Sequence, residues 1–201
     1  MQRRAVALRF SFGDRDDQEI IGANAFRENG VSAIALLKYA VLLLFPLLMT
    51  YAGIMDLLTF KIRNVLVLFL LILWLIAAPL AGLTLHEMGL SLAVGLATFC
   101  VTFAFFAAGW IGGGDAKLAS VAALWFGWDD VLPYFALASV LGGLLTLLVL
   151  QLRMGRVPFP NYWPNCLGRF RDGESGVPYG VAFAAAALIL FHQTDWLPRL
   201  A

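Results

Sequence analysis

Two aspartates, Asp56 and Asp115, differ from the other acidic residues because they lie within or beside apolar stretches. The remaining acids fall in the polar N-terminal segment, in loops between apolar runs or near the C-terminus. A charged carboxylate inside a bilayer costs roughly 2.5 to 3.5 kcal/mol on insertion scales. Each aspartate therefore needs a partner or a wet cavity, and two of them indicate proton chemistry.

A pair of neighbouring carboxyls is suited to hydrolysis. Two aspartates close together cannot both ionise easily, so they hold one proton over a wide pH range. The ionised member can deprotonate water, while the neutral member polarises a carbonyl and donates its proton. A structural alternative is that each acid pairs with Lys61, Arg63 or Lys117 and only holds helices together.

No metal or other cofactor is predicted. A carboxyl pair needs none, and His86 and His192 are isolated in the sequence. Cys100 and Cys166 are far apart and neither belongs to a C-x-x-C pair, which argues against a zinc site or a disulfide framework.

The elements that position the aspartates are predicted to be membrane helices. The chain is 61% hydrophobic and only 13% charged, about half the charge of a soluble domain. We expect an all-α, polytopic membrane protein with about six transmembrane helices, since a bilayer core needs roughly 20 apolar residues per helix. The predicted runs are 33–55, 64–82, 89–109, 116–127, 131–150 and 177–190. Residues 1–30 are predicted to be a polar tail, and residues 31–201 one six-helix membrane domain with a long loop at 151–176.

Residue spacing predicts that the two aspartates lie at similar depths. Lys38 and Lys61 bracket the first helix at about 34 Å, close to the bilayer core thickness, which places Asp56 about 7.5 Å below one surface. Counting back from Asp129 at the other surface, Asp115 lies about 21 Å away, and thus beneath the same face as Asp56.

The distribution of basic residues predicts which face this is. Lysines and arginines are concentrated in the connections 57–63 and 151–176, and Lys117 follows the connection 110–114. The connections 83–88 and 128–130 contain none. The positive-inside rule then makes the aspartate face cytoplasmic. The five arginines of residues 1–30 disagree with this orientation, and we give the inner loops more weight.

Glycines precede the second aspartate. The run Gly112-Gly113-Gly114 lets the backbone turn sharply and approach a substrate strand closely, inside a cavity lined by protein. The run continues as Asp115-Ala-Lys117, which matches neither phosphate-binding glycine pattern.

These motifs resemble those of the prepilin peptidases, the GxGD-type intramembrane aspartyl proteases. The family's first motif is an aspartate followed by a stretch ending in Ile-Pro-Asn; here Asp56 is followed by Ile62-Arg63-Asn64, with arginine in place of proline. The second motif, Gly-x-Gly-Asp-Ala-Lys, is present without departure from Gly112 to Lys117. A weaker third feature is Pro178-Tyr179-Gly180 at the start of the last helix.

The resemblance implies that Asp56 and Asp115 are catalytic. It also implies that Gly112, Gly113, Gly114, Lys117 and Asn64 form a substrate or active-site loop. The expected partners are a prepilin or pseudopilin substrate, the lipid bilayer of the bacterial inner membrane and pilus-assembly proteins, with no nucleic acid.

The absence of both C-x-x-C pairs makes the chain similar to the short family form of Flp/Tad-type pili, which has no methyltransferase domain. Archaeal preflagellin peptidases share the two aspartate motifs and are a close variant. Two alternatives from other classes are a small proton-coupled transporter or channel that uses Asp56 and Asp115 as a relay, and a silent scaffold for pilus assembly.

Overall fold

The computed structural model describes residues 34–154 and 176–200, and within these ranges every regular element is helical. The helices are α1 (Ile34–Thr59), α2 (Asn64–Leu80), α3 (Leu85–Ala107), α4 (Gly113–Arg153), α5 (Tyr179–Leu190) and α6 (Trp196–Leu200), with a 3-10 turn at Phe191–Gln193. Helices α1, α3 and α4 are long and apolar enough to cross a membrane, and the other apolar helices are shorter. The predicted all-α, polytopic membrane fold is confirmed. The predicted tail at 1–30 and residues 155–175 of the predicted loop lie outside the described residues, and α4 extends three residues into that loop.

Helix α4 reverses direction at Gly127. This residue has φ 61° and ψ −164° between two helical limbs, residues 113–126 and 128–153. The rings of Phe126 and Tyr134 stack at 4.3 Å, although eight residues of straight helix would separate them by about 12 Å. The two limbs therefore correspond to the fourth and fifth predicted runs. A separate loop at 128–130 was the wrong expectation, because a glycine with positive φ makes the turn almost alone.

The first limb of α4 occupies the centre of the bundle. Trp125 stacks on Phe45 of α1 at 4.4 Å and donates from Nε1 to the carbonyl of Leu70 in α2 at 3.2 Å. On another side of the limb, Thr102 of α3 donates from Oγ1 to the carbonyl of Ala116 at 3.2 Å. The limb is therefore wrapped by protein, and it carries Asp115 at its beginning.

The outward faces of the surrounding helices are apolar. Leu47 of α1, Leu96 of α3 and Leu144 of the second α4 limb are 62%, 65% and 59% exposed. Apolar side chains at this exposure on three long helices belong against lipid rather than water.

The end of the bundle away from Asp56 and Asp115 is closed by α6. Arg199 forms an ion pair with Glu87 at 2.7 Å, and Lys38 donates from Nζ to the carbonyl of Arg199 at 3.4 Å. Glu87 also completes a capping box with Thr84 at the start of α3. These contacts tie the beginnings of α1 and α3 together, about 27 Å along α1 from Asp56.

Candidate active site

Asp56 lies one turn before the end of α1. The residue is buried, with only 4% of its surface exposed. The helix ends at Thr59, and Phe60 adopts a left-handed conformation (φ 53°) while its N–H donates to the carbonyl of Asp56 at 2.8 Å. The chain therefore leaves α1 immediately after the aspartate, which fixes the residue at the rim of the bundle core.

Asp115 lies in the first turn of α4 and is 8% exposed. Gly112 precedes the helix in an extended conformation and serves as its N-cap without a side chain. The first N–H groups of a helix have no partner within it, so a carboxyl in this turn lies beside unpaired donors. The backbone of Gly112 is one of the polar neighbours of the Asp115 carboxyl.

The beginning of α5 brings the two aspartates together. The N–H of Gly180 donates to Oδ2 of Asp56 at 2.7 Å. The carboxyl of Asp115 lies near enough to this N–H and to the carboxyl of Asp56 to interact electrostatically with both. Two buried carboxyls from α1 and α4 thus meet at one backbone donor of a third helix.

Four glycines allow this close approach. A Cβ on Gly180 would lie 2.8 Å from Oδ2 of Asp56, and one on Gly112 would lie 3.1 Å from Oδ2 of Asp115. A Cβ on Gly113 would meet the ring of Phe106 at 3.1 Å, and one on Gly114 would meet Cβ of Ile62 at 3.1 Å. The predicted glycine run is therefore packed against the carboxyl, α3 and the connection that follows Asp56.

Lys117 and Asn64 contact each other. Nζ of Lys117 donates to Oδ1 of Asn64 at 3.0 Å on the protein surface, which links the beginnings of α4 and α2. Neither side chain makes a hydrogen bond or ion pair with Asp56 or Asp115. These two predicted site residues thus lie beside the carboxyl pair in the sequence and join its supporting helices, without touching it.

The structural alternative, in which basic residues neutralise the two acids, disagrees with this arrangement. The ion pairs among residues 34–154 and 176–200 involve Arg199 with Glu87 and with Asp195, and none includes Asp56 or Asp115. Lys61 and Arg63 are exposed to solvent. The two carboxyls are therefore buried against each other without a cation, which a purely structural role does not explain.

Comparison with known proteins identifies the family. A model described as the type IV leader peptidase family matches residues 43–147, slightly more than half of the chain. The chain belongs to the type IV leader peptidase family. Searches among curated proteins and among solved structures found no match. Family membership makes the protein a membrane-embedded protease of the leader peptidase type, and it implies a prepilin substrate.

The matched residues of this leader peptidase include both carboxyls but end before Gly180. In the sequence, Pro178-Tyr179-Gly180 marks the start of the last helix but indicates no role for Gly180. The signal was a glycine in the first turn of a helix, where the N–H is unpaired and a missing Cβ admits a side chain. Sequence alone could not show that Asp56 is the side chain admitted.

The carboxyl pair of the leader peptidase retains an unused acceptor. Oδ1 of Asp115 is buried and has no hydrogen-bond partner among the described residues. Buried polar atoms are nearly always paired, so an unpaired oxygen at this position is available for a shared proton, a water molecule or substrate. Among the described residues, no group of three or more histidine, cysteine or acidic side chains is arranged to hold a metal ion.

Proposed function

We propose that this leader peptidase is an aspartyl endopeptidase that removes the leader of Flp-like type IV prepilins, with Asp56 and Asp115 as its catalytic pair. The observation that carries the proposal is the meeting of two buried carboxyls at the N–H of Gly180. A carboxyl pair that shares one proton supplies both a general base for water and a general acid for the scissile amide.

The surrounding residues have supporting roles in the proposal. In the active-site loop of Gly112, Gly113 and Gly114, the exposed Gly112 leaves the backbone beside Asp115 open to an extended substrate strand. Gly113 and Gly114 let Phe106 and Ile62 pack closely against the start of α4. Lys117 and Asn64 hold the beginnings of α4 and α2 together at the rim of the site. No cofactor takes part in this mechanism.

The proposed location is the bacterial inner membrane, with cleavage at its cytoplasmic face. The basic connections of the chain lie at the end of the bundle that holds the carboxyls: Lys61 and Arg63 follow α1, and Arg153 ends α4. The positive-inside rule assigns this end to the cytoplasm, where the basic leader of a prepilin remains. Pilus-assembly proteins are proposed as further partners through the matured pilin.

A proton relay through the membrane is a less suitable function. Between the carboxyl pair and the acids at the opposite end, the first limb of α4 packs Trp125 and Phe126 against Phe45. A relay needs polar or titratable groups along its path, and this part of the core is aromatic.

Replacing each carboxyl by an amide tests the proposal. Asp56→Asn and Asp115→Asn keep the side-chain shape but remove the ability to share a proton. Each should reduce leader cleavage by more than about 10²-fold in membranes containing a Flp-like prepilin, the lower range of general acid–base contributions. Asp129→Asn, at the opposite end of the bundle, is the matched control and should cleave normally. Near-normal cleavage by either active-site variant would exclude that residue from the mechanism.

A further inference from the structure

The two carboxyls of the pair have unequal surroundings. Oδ2 of Asp56 accepts a 2.7 Å hydrogen bond from the N–H of Gly180. The N–H groups of Gly112 and Gly180 also lie near the Asp115 carboxyl and interact with it, but among the described residues no hydrogen bond comparable to that of Asp56 joins either of them to Asp115. Oδ1 of Asp115 is buried without any partner among the described residues. The N–H of Gly180 therefore forms a stronger hydrogen bond with Asp56 than with Asp115.

A short hydrogen bond from a helix N-terminus favours the ionised form of a carboxyl. An ionised carboxylate only accepts hydrogen bonds, and a bond to a charged acceptor is roughly twice as strong as a neutral one. Gly180 is the second residue of the 12-residue helix α5, whose positive dipole end also favours a negative charge. Asp115 lies in the first turn of α4 and is near a similar dipole end, so the short hydrogen bond is what distinguishes Asp56. These effects act together on Oδ2 of Asp56.

The unpaired oxygen of Asp115 favours the protonated form there. A buried charged oxygen without a donor costs more than a buried neutral one. A protonated carboxyl also carries an O–H that can be donated to the neighbouring carboxylate. No described lysine or arginine forms an ion pair with either carboxyl, and Lys117 donates to Asn64. The difference in charge between the two carboxyls therefore depends on backbone donors.

We propose that Gly180 is a positioning residue that keeps Asp56 ionised, so that Asp56 is the general base and Asp115 carries the shared proton as the general acid. This inference rests on the proposed function and names the role of each carboxyl within it.

The reaction then proceeds in two balanced steps. Asp56 takes a proton from water as the water oxygen bonds to the scissile carbonyl carbon, and Asp115 gives its proton to the carbonyl oxygen, forming a neutral gem-diol. In the second step Asp56 gives its proton to the leaving nitrogen while Asp115 takes one from a gem-diol hydroxyl. The C–N bond breaks, an acid and an amine are released, and both carboxyls return to their initial states.

The absence of a side chain at position 180 is required for this arrangement. A Cβ there would lie 2.8 Å from Oδ2, 2.9 Å from Cβ and 3.0 Å from Cγ of Asp56. The short, buried side chain of Asp56 has little freedom to move away without losing the N–H. Gly180→Ala should therefore displace the carboxylate from its donor.

Infrared difference spectroscopy of the full-length protein in liposomes tests the proton's location. Spectra are taken at neutral pH against the double variant Asp56→Asn/Asp115→Asn, which isolates the carbonyl stretch of a protonated carboxyl in the pair. The wild type and Asp56→Asn should show this band, and Asp115→Asn should lose it. The reverse pattern, with the band retained in Asp115→Asn and lost in Asp56→Asn, would overturn the assignment.

Gly180 is tested by the same signal. In the Asp115→Asn background, Gly180→Ala should restore a protonated carboxyl band, now from Asp56, whereas Gly143→Ala should not, because a Cβ at Gly143 meets nothing within 4 Å. If the band stays absent in Asp115→Asn/Gly180→Ala, Gly180 does not control the charge of Asp56.

The cleavage assay separates the two proposals. Normal cleavage by both single amide variants would refute the protease mechanism whatever the spectra show. Loss of cleavage in both, together with the reversed band pattern, would retain the protease and refute the assignment of base and acid.

Discussion

Gly53 of α1 controls how closely α1 approaches α5, and its replacement should disturb the site without changing either carboxyl or the N–H of Gly180. A Cβ at position 53 would lie 2.9 Å from Cβ of Ala184. Reaching an ordinary contact of 3.4–4 Å requires the two helices to separate by about 0.5 to 1 Å. Asp56 lies three residues further along α1 and Gly180 four residues earlier in α5, so this separation acts directly on their hydrogen bond.

The magnitude follows from that geometry. A rigid separation would lengthen the 2.7 Å bond between Gly180 N and Asp56 Oδ2 to about 3.2 to 3.7 Å, at or beyond the usual limit for N–H···O bonds. A misplacement of about 1 Å at a catalytic group can cost about 10²-fold in rate. We therefore expect Gly53→Ala to lower kcat/KM for prepilin cleavage by about 10- to 100-fold, mainly through kcat.

The matched control for Gly53→Ala is a compensating change. Ala184→Gly removes the methyl group that the new side chain would strike, leaving its other neighbours, Val181 and Gly180, at 3.5 Å or more. The double variant Gly53→Ala/Ala184→Gly should recover most of the activity. Alanine has the higher helix propensity, by about 1 kcal/mol, so loss of activity cannot be assigned to a weaker α1.

Cleavage of a Flp-like prepilin in reconstituted membranes, with protein level and thermal stability measured in parallel, decides the outcome. Wild-type activity in Gly53→Ala would show that the α1–α5 distance does not set the carboxyl geometry. Unchanged low activity in the double variant would show that steric separation is not the cause.

Three further predictions concern topology, product chemistry and the rim of the site. In a background without native cysteines, Asp129→Cys should label with an impermeant thiol reagent in intact cells and Arg63→Cys only after the inner membrane is opened; the opposite pattern would contradict a cytoplasmic site. Mass spectrometry of pilin matured by this enzyme alone should show an unmethylated N-terminus, since the C-x-x-C pairs of the methyltransferase form are absent. Lys117→Met should lower kcat/KM by less than about 10-fold, because one exposed hydrogen bond contributes about 0.5 to 1.5 kcal/mol; a loss as large as that of Asp115→Asn would place Lys117 in the chemistry.

The carboxyl pair could be predicted from the sequence because the fixed thickness of a membrane relates residue spacing to depth. Apolar length and flanking charges gave six helical segments and similar depths for Asp56 and Asp115, and the structure brings these residues together. Residue spacing predicts the depth of a side chain in the membrane but not the direction in which it points around the helix axis. It therefore could not assign Gly180 as the donor, since that requires knowing which face of α5 meets α1.

Two other features depended on tertiary contacts. The sequence indicated a connection near Asp129, but the tightness of the turn comes from the left-handed backbone of Gly127 and the stacking of Phe126 on Tyr134. Helix α6 has only five residues, too few to predict from periodicity, and Arg199 is held by residues more than 100 positions away in the chain.

The reversal at Gly127 has a consequence for how the protein is made. The first limb of α4 has about 14 residues, roughly 21 Å of helix, and contains Asp115, Lys117 and Ser120. A segment this short and polar does not enter a bilayer stably by itself, where about 20 apolar residues are needed. We therefore expect it to be inserted as a hairpin with the second limb, after α1 to α3 have left the ribosome. During synthesis, the helix that carries Asp115 therefore has no stable place in the membrane until its neighbours provide one.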